Sequence, residues 1–299
     1  MISIITDNRY LLHDSGVGHP ERPERITACN DALKTSDILD KLQWLSPRVA
    51  EISDILRAHT TKHIQQIKEV CETGGGYLDP DTHAGYESYE IALLSAGAWL
   101  DGVDEVLSGK SAVVISRPPG HHAENDNAMG FCLFNNCAIA SLYTVEEKNI
   151  ERIAIFDWDA HHGNGVQHIL EGDERFLYCS MHQSPHYPGT GRACETGKYN
   201  NVLNIPLSAN TGSNEYLSQF HNEVMPFIRN FEPQLLIVSA GFDAHEKDPL
   251  CGLNLQSRDF GEMTKALIEI NPQILFGLEG GYDLSALGEC VVEVCRNLI

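Results

Sequence analysis

Apolar residues along this chain gather in short unbroken runs, each closed by a burst of polar residues or glycine. Ile2 to Ile5, Ala112 to Ser116, Ile153 to Phe156, Leu177 to Met181, Leu235 to Ser239 and Ile274 to Leu278 are runs of this kind. They are apolar at successive positions, not alternate ones, and so predict strands covered by helices on both faces of a sheet. Helical stretches fall between them. One starts near Ile26, fed by the proline-fixed loop His19-Pro-Glu-Arg-Pro-Glu-Arg25, and another follows Asp54 to His63. A long helix is predicted from about Tyr89 to Leu107, a further one is entered through Cys137, and a closing helix runs from about Leu284 to Asn297. Gly74 to Thr82 and Ser184 to Gly191 read as loops by composition. Strand, loop and helix alternate over 299 residues without repeat, linker or low-complexity tract, which predicts one α/β domain spanning 1–299.

The residues that close the runs carry the chemistry. Asp157, Asp159 and His161 follow the Ile153 run two residues apart, with Gly163 and Gly165 after them. Residues two apart in an extended backbone point to one side, so these three groups are expected to leave one strand end together. His121 and His122 close the Ala112 run, Asp243 the Leu235 run and Tyr282 the Ile274 run. Taken singly, each has an ordinary explanation, such as a helix cap or a satisfied core hydroxyl. Four such clusters on the carboxyl rim of one parallel sheet instead mark the place where α/β folds bind ligands.

Asp159, His161 and Asp243 make a three-ligand set for a divalent ion and leave a position open, as catalytic zinc sites do. Mixed oxygen and nitrogen donors also admit iron or cobalt. Asp157 is then free to hydrogen-bond a histidine and set its tautomer. His121 and His122 offer a general base for a metal-bound water and an electrostatic partner. Tyr282, on a Gly-Gly turn, can donate a hydrogen bond to a developing oxyanion. Metal, base and donor together describe hydrolysis of an amide or ester.

Composition narrows the partners. Lys plus Arg is 21 and Asp plus Glu is 42, a formal net charge of −21. That charge disfavours phosphate backbones, and so a nucleic-acid function, and suits a cationic substrate. The nine cysteines contain no Cys-x-x-Cys pair, as expected of reduced thiols in a cytosolic protein. The N-terminus lacks a basic segment followed by a long apolar one, and no run approaches a membrane span, so neither a signal peptide nor a membrane partner is expected.

Arg117-Pro-Pro-Gly-His-His-Ala123, Gly130-Phe131, Asp157-Trp-Asp-Ala-His-His-Gly-Asn-Gly165, Pro188-Gly-Thr-Gly191, Ser239-Ala-Gly-Phe-Asp-Ala-His245 and Glu279-Gly-Gly-Tyr282 together resemble the zinc-dependent histone deacetylase family. That family includes bacterial deacetylase-like amidohydrolases and acetylpolyamine deacetylases. The resemblance runs in order from about His19 to Tyr282. It implies the arginase/deacetylase fold, with a central, mostly parallel eight-stranded sheet. By the same resemblance Asp159, His161 and Asp243 are the ligands of one zinc ion. His122 is general base and acid, and His121 is its electrostatic partner, held by Asp157. Tyr282 polarises the carbonyl, and Gly130, Phe131 and Tyr187 line the acyl-lysine tunnel, with tyrosine at 187 where the family often has phenylalanine. A structural potassium ion is implied at Asp157, Asp159, His161, Ser180 and Met181. Asn164, at the position that partners the second histidine, resembles the class II-like branch, as do Trp158 and the His19–Arg25 segment. Tyr282 separates the chain from the weakly active class IIa branch, which carries histidine there.

The expected activity is hydrolysis of acetyl-lysine in a protein or peptide. The alternative is deacetylation of a small cationic amide such as an acetylpolyamine. The acetylpolyamine branch typically carries a long insertion before the Arg-Pro-Pro-Gly-His-His segment, and only 34 residues separate Thr82 from Arg117 here. A two-manganese ureohydrolase of the arginase kind needs further bridging carboxylates, whereas Asp243-Ala-His245 is followed by Glu246 and Lys247. A non-catalytic acyl-lysine module would not need the full set of ligands, histidines and tyrosine.

Overall fold

The computed structural model describes residues 1–272 and 274–299. Its centre is an eight-stranded sheet in which every described pairing is parallel. The strands are β1 (Ile2–Ile5), β2 (Leu42–Leu45), β5 (Ser111–Val114), β6 (Ile153–Asp157), β7 (Phe176–Gln183), β8 (Val202–Leu207), β9 (Leu235–Ala240) and β10 (Ile274–Leu278). β3 (Gly76–Asp79) and β4 (Thr82–Ala84) form a separate antiparallel hairpin. The sheet order is β2-β1-β5-β10-β9-β6-β7-β8. β6, β9 and β10 are buried at every position, as expected of central strands covered on both sides.

The longer helices are Glu24–Thr35 (α1), Thr61–Glu72 (α2), Ser88–Leu107 (α3), Asn136–Lys148 (α4), Ser257–Ile270 (α5) and Leu284–Asn297 (α6). α3 packs on β1, β5 and β10, while α1, α5 and α6 pack against one another. Among the described residues, no helix is long and apolar enough to cross a membrane.

Two expectations change. Gly74 to Thr82, read as loop, contains β3 and the start of β4; its Gly-Gly-Gly and Asp-Pro-Asp segments sit at the ends and the turn of the hairpin. Here tertiary pairing overrides composition. The edge strands β2 and β8 have no run of their own in the sequence reading. Only Leu42 of β2 is fully buried, and β8 carries Pro206, whose missing N–H an edge strand tolerates.

Candidate active site

The four central neighbours β5, β10, β9 and β6 are the strands whose carboxyl ends carry the polar clusters. The parallel arrangement therefore brings His121, His122, Asp157, Asp159, His161, Asp243 and Tyr282 to one rim. Extended geometry does not continue past β6, however. The chain bends after Asp157, whose Oδ1 accepts the Asp159 N–H at 3.2 Å, and Asp159 Oδ1 in turn accepts the His161 N–H at 2.9 Å. Past that bend Asp159 and His161 meet Asp243, while Asp157 meets His121.

Asp159, His161 and Asp243 are buried, with their ligand atoms within 4.8 Å of one another. His161 Nδ1 lies 3.0 Å from Asp159 Oδ1 and 2.9 Å from Asp243 Oδ2. The other carboxylate oxygens are fixed by backbone donors: Gly280 N–H to Asp159 Oδ2 at 2.8 Å and Ala160 N–H to Asp243 Oδ1 at 2.7 Å. A Cβ at position 280 would stand 2.4 Å from Asp243 Oδ2, so only glycine lets β10's end close over the pair. Burial alone would lower His161, but Asp243 and Asp159 push it well above its ordinary value. Burial and the charge of Asp159 push Asp243 up, whereas His121 and His161 hold Asp159 low against the same burial. Two buried carboxylates sharing one imidazole, with no Lys or Arg paired to either among the described residues, form a donor set that fits a divalent cation.

The histidine pair has distinct surroundings. His121 Nδ1–H donates to Asp157 Oδ2 at 3.0 Å, and Tyr178 donates to the same oxygen at 3.1 Å. Burial disfavours its charge, yet Asp159 and Asp157 raise it to about 10. His122 Nδ1–H donates to Asn164 Oδ1 at 2.9 Å, and Asn164 is itself tied to Glu124 at 2.9 Å. Burial, then the neighbouring His121 and His161, push His122 well below its ordinary value. Neutral, with its proton fixed on Nδ1, it keeps Nε2 free.

A cavity of about 210 Å³ opens onto this rim. Phe131, Tyr187 and Leu250 form its apolar wall, His122, His161 and Tyr282 reach it from the rim, and Gly130, Asp81 and His186 complete it. The Tyr187 ring stands at 90° to His122 (5.1 Å between centroids), and Phe131 stands at 87° to Tyr282 (6.0 Å). Gly130 adopts a positive φ, and a Cβ there would meet His122 Cδ2 at 2.4 Å. Tyr282 is fixed from behind: Asp248 accepts its N–H at 2.8 Å and the Arg25 guanidinium lies 5.1 Å over its ring. Ser180 and Met181 lie on β7, with Ser180 the register partner of Asp157, although the Ser180 hydroxyl pairs with His182 Nδ1 at 2.9 Å.

Several further residues shape the site without a role assigned from the sequence, some of them inside the quoted motifs. Glu279 is fully buried, accepts the N–H groups of Gly120 at 2.7 Å and His121 at 3.1 Å, and is raised to about 7 by burial. It directly precedes Gly280-Gly281-Tyr282, so the strand-end argument could have reached it. Glu21, Arg25 and Arg117 form a buried ion cluster in which Arg25 also donates to the Gly281 carbonyl at 2.7 Å. Asp248, His186 and Cys251 lie on loops, where no spacing announces them.

A parallel sheet whose four central carboxyl ends converge on one buried ligand set defines an α/β protein of the arginase/deacetylase fold. The histone deacetylase domain model matches residues 19–298. An uncharacterized protein of Synechocystis sp. is 45% identical over 100% of both chains. The histone deacetylase-like amidohydrolase of Pseudomonas aeruginosa is 36% identical over 95% of this chain and 78% of its own length. A solved structure, the crystal structure of the HDA15 HD domain, superposes with a TM-score of 0.95 at 34% identity, covering 99% of this chain and 89% of that one. The chain therefore belongs to the histone deacetylase family of hydrolytic deacetylases.

Proposed function

We propose that the chain, as one deacetylase domain over residues 1–299, hydrolyses the amide of acetyl-lysine in a protein or peptide, giving free lysine and acetate. The observation that carries this reading is the meeting, at one 210 Å³ apolar-walled cavity, of His122, His161 and Tyr282, with Asp159 and Asp243 on His161. Such a wall suits an uncharged methylene stem ending in an amide.

Asp159, His161 and Asp243 would hold one zinc ion, which when bound supplies Lewis-acid polarisation of the amide carbonyl and of a water. His122 takes the proton of the attacking water at Nε2 and returns it to the leaving nitrogen. The neutral Asn164 partner, unlike a carboxylate, adds no negative charge to hold that proton. His121, held cationic by Asp157, makes the second charge on His122 unfavourable and so speeds the return of the proton. Tyr282 donates to the carbonyl oxygen as charge develops there. Gly130, Phe131 and Tyr187 hold the stem. A structural potassium ion at Asp157, Asp159, His161, Ser180 and Met181, a class II-like character through Asn164, and a cytoplasmic location belong to the same reading. The pairing of Asp157 with Ser180 across β6 and β7 supports the potassium position.

Deacetylation of an acetylpolyamine is the second reading. It is favoured by Asp81 at the cavity, with Asp79 close enough to raise its carboxyl together with burial. A kcat/KM panel of acetyl-lysine peptides, longer acyl-lysines, acetylputrescine and acetylspermidine decides between them. Peptide preference is expected, a preference of tenfold or more for the polyamines selects the second reading, and no turnover of any member by zinc-loaded protein overturns both.

A further inference from the structure

His161 has a second nitrogen with its own surroundings. While Nδ1 faces the two carboxylates, Nε2 lies 3.5 Å from Cys251 Sγ, and that sulfur lies 3.5 Å from His186 Nε2. The His161 and His186 rings stack, 5.0 Å apart and 22° from parallel. The three ligand atoms lie within 4.8 Å of one another. Cys251 and His186 are half-buried, and His161 and His186 line the cavity, with the Cys251 sulfur 3.5 Å from a nitrogen of each.

In the metal-free chain the two contacts form a hydrogen-bonded relay, in which His161 Nε2–H donates to the sulfur and the thiol donates to His186 Nε2. One ion taking the place of the bridging protons would hold the same three atoms. With zinc–sulfur and zinc–nitrogen bonds of about 2.3 and 2.0–2.1 Å at tetrahedral angles, sulfur and nitrogen stand about 3.6 Å apart. The two sulfur–nitrogen separations of 3.5 Å match that value closely.

We propose that Cys251, His186 and the outer nitrogen of His161 form a second metal site, for a thiophilic divalent ion such as zinc or cadmium, whose occupation closes the cavity to substrate. The inner set fills first, because Asp159 and Asp243 bring negative charge without losing a proton. Filling the outer site releases the thiol proton of Cys251. With the inner set loaded it also releases the Nε2 proton of His161, whose imidazolate then bridges two ions. The closure rests on the cavity being the substrate channel; the binding does not.

Cobalt(II) titration of the metal-free full chain reads the binding alone. The first equivalent, on oxygen and nitrogen donors, is expected to give no thiolate-to-metal charge-transfer absorption, and the second to give it. Cys251→Ser should abolish that absorption, and His186→Ala should weaken binding of the second equivalent at least tenfold, with circular dichroism confirming that both fold. Zinc beyond one equivalent should inhibit turnover of an acetyl-lysine peptide. The half-inhibiting concentration should rise tenfold or more in Cys251→Ser, relative to that variant's own uninhibited rate. Absence of the absorption at two equivalents, or its persistence in Cys251→Ser, overturns the site. Absorption without inhibition of active protein overturns the closure. Inactivity with one equivalent of zinc overturns the acetyl-lysine reading instead, and leaves the site to be judged by its absorption.

Discussion

Tyr282 is the residue whose chemistry depends most on its surroundings. Burial raises its phenol well above the ordinary value, with Asp243, Asp159 and Asp248 adding to the effect and Arg25 opposing it. It therefore remains a neutral donor across the working pH range, suited to an oxygen that gains charge only during reaction. Tyr282→Phe keeps the ring and deletes the donor. The expected loss is about 10²–10³ in kcat, or roughly 2.7–4 kcal/mol, with metal content unchanged. A kcat within about threefold of wild type, only ~0.7 kcal/mol, would sink the oxyanion role. Asp243→Ala should do the opposite, losing tightly held metal together with activity while the fold persists; full metal occupancy by elemental analysis would refute its place as a ligand. These side chains are legible in the sequence because packing has no use for them at the end of an apolar run. Cys251 and His186 are not legible, because each stands on a loop and only the fold places them beside His161.

Helix α3 shows how an element's contacts can override its local preference. Gly97 sits in its interior, where alanine would favour the helix by about 1 kcal/mol. A Cβ there would lie 2.1 Å from the Arg48 carbonyl oxygen, in a segment tied to α3 by the Ala50 N–H to the Leu93 carbonyl at 3.0 Å. Gly97→Ala is accordingly expected to lower stability by about 1–3 kcal/mol, read as a lower midpoint in denaturant; a higher midpoint would show that propensity wins. His59, just before α2, contributes to acid stability, as do other buried histidines such as His13 and His182. Its Nε2 accepts the Asn135 N–H at 2.8 Å, and burial followed by His63 lowers it from 6.5 to about 3. The folded state thus refuses a proton that the unfolded chain accepts. This contribution is whole above pH 6.5 and is lost as pH falls from 6.5 towards 3, by about 3 kcal/mol at pH 4. His59→Gln should flatten that slope in denaturant titrations at pH 7 and pH 4, and parallel slopes would refute it. Elements were legible to the degree that both faces are covered. β6, β9 and β10 appear as continuous apolar runs, whereas the edge strands β2, mostly half-buried, and β8, interrupted by Asn204 and Pro206, carry mixed sequences that no period distinguishes.

For the whole molecule, the formal charge of −21 acts at a distance. If it steers cationic substrates, KM for a lysine-rich acetyl peptide should rise with salt more steeply than KM for a neutral one. Equal responses would leave the charge to solubility alone. The strand order has a different consequence, concerning how the protein is made. Among the described residues, β10 is the last of these strands in sequence order; it pairs with β5 on one side and β9 on the other and links the β2-β1-β5 and β9-β6-β7-β8 groups of the sheet. A chain emerging from the ribosome therefore cannot complete its sheet as it goes. Until Ile274–Leu278 is released, β5 and β9 each wait with one apolar edge unpaired, and the glycines and tyrosine that follow β10 are missing from the rim. Such edges recruit foreign strands. Completion of the sheet thus waits on β10, and chains stalled or ended before Ile274 should be aggregation-prone, not partially active.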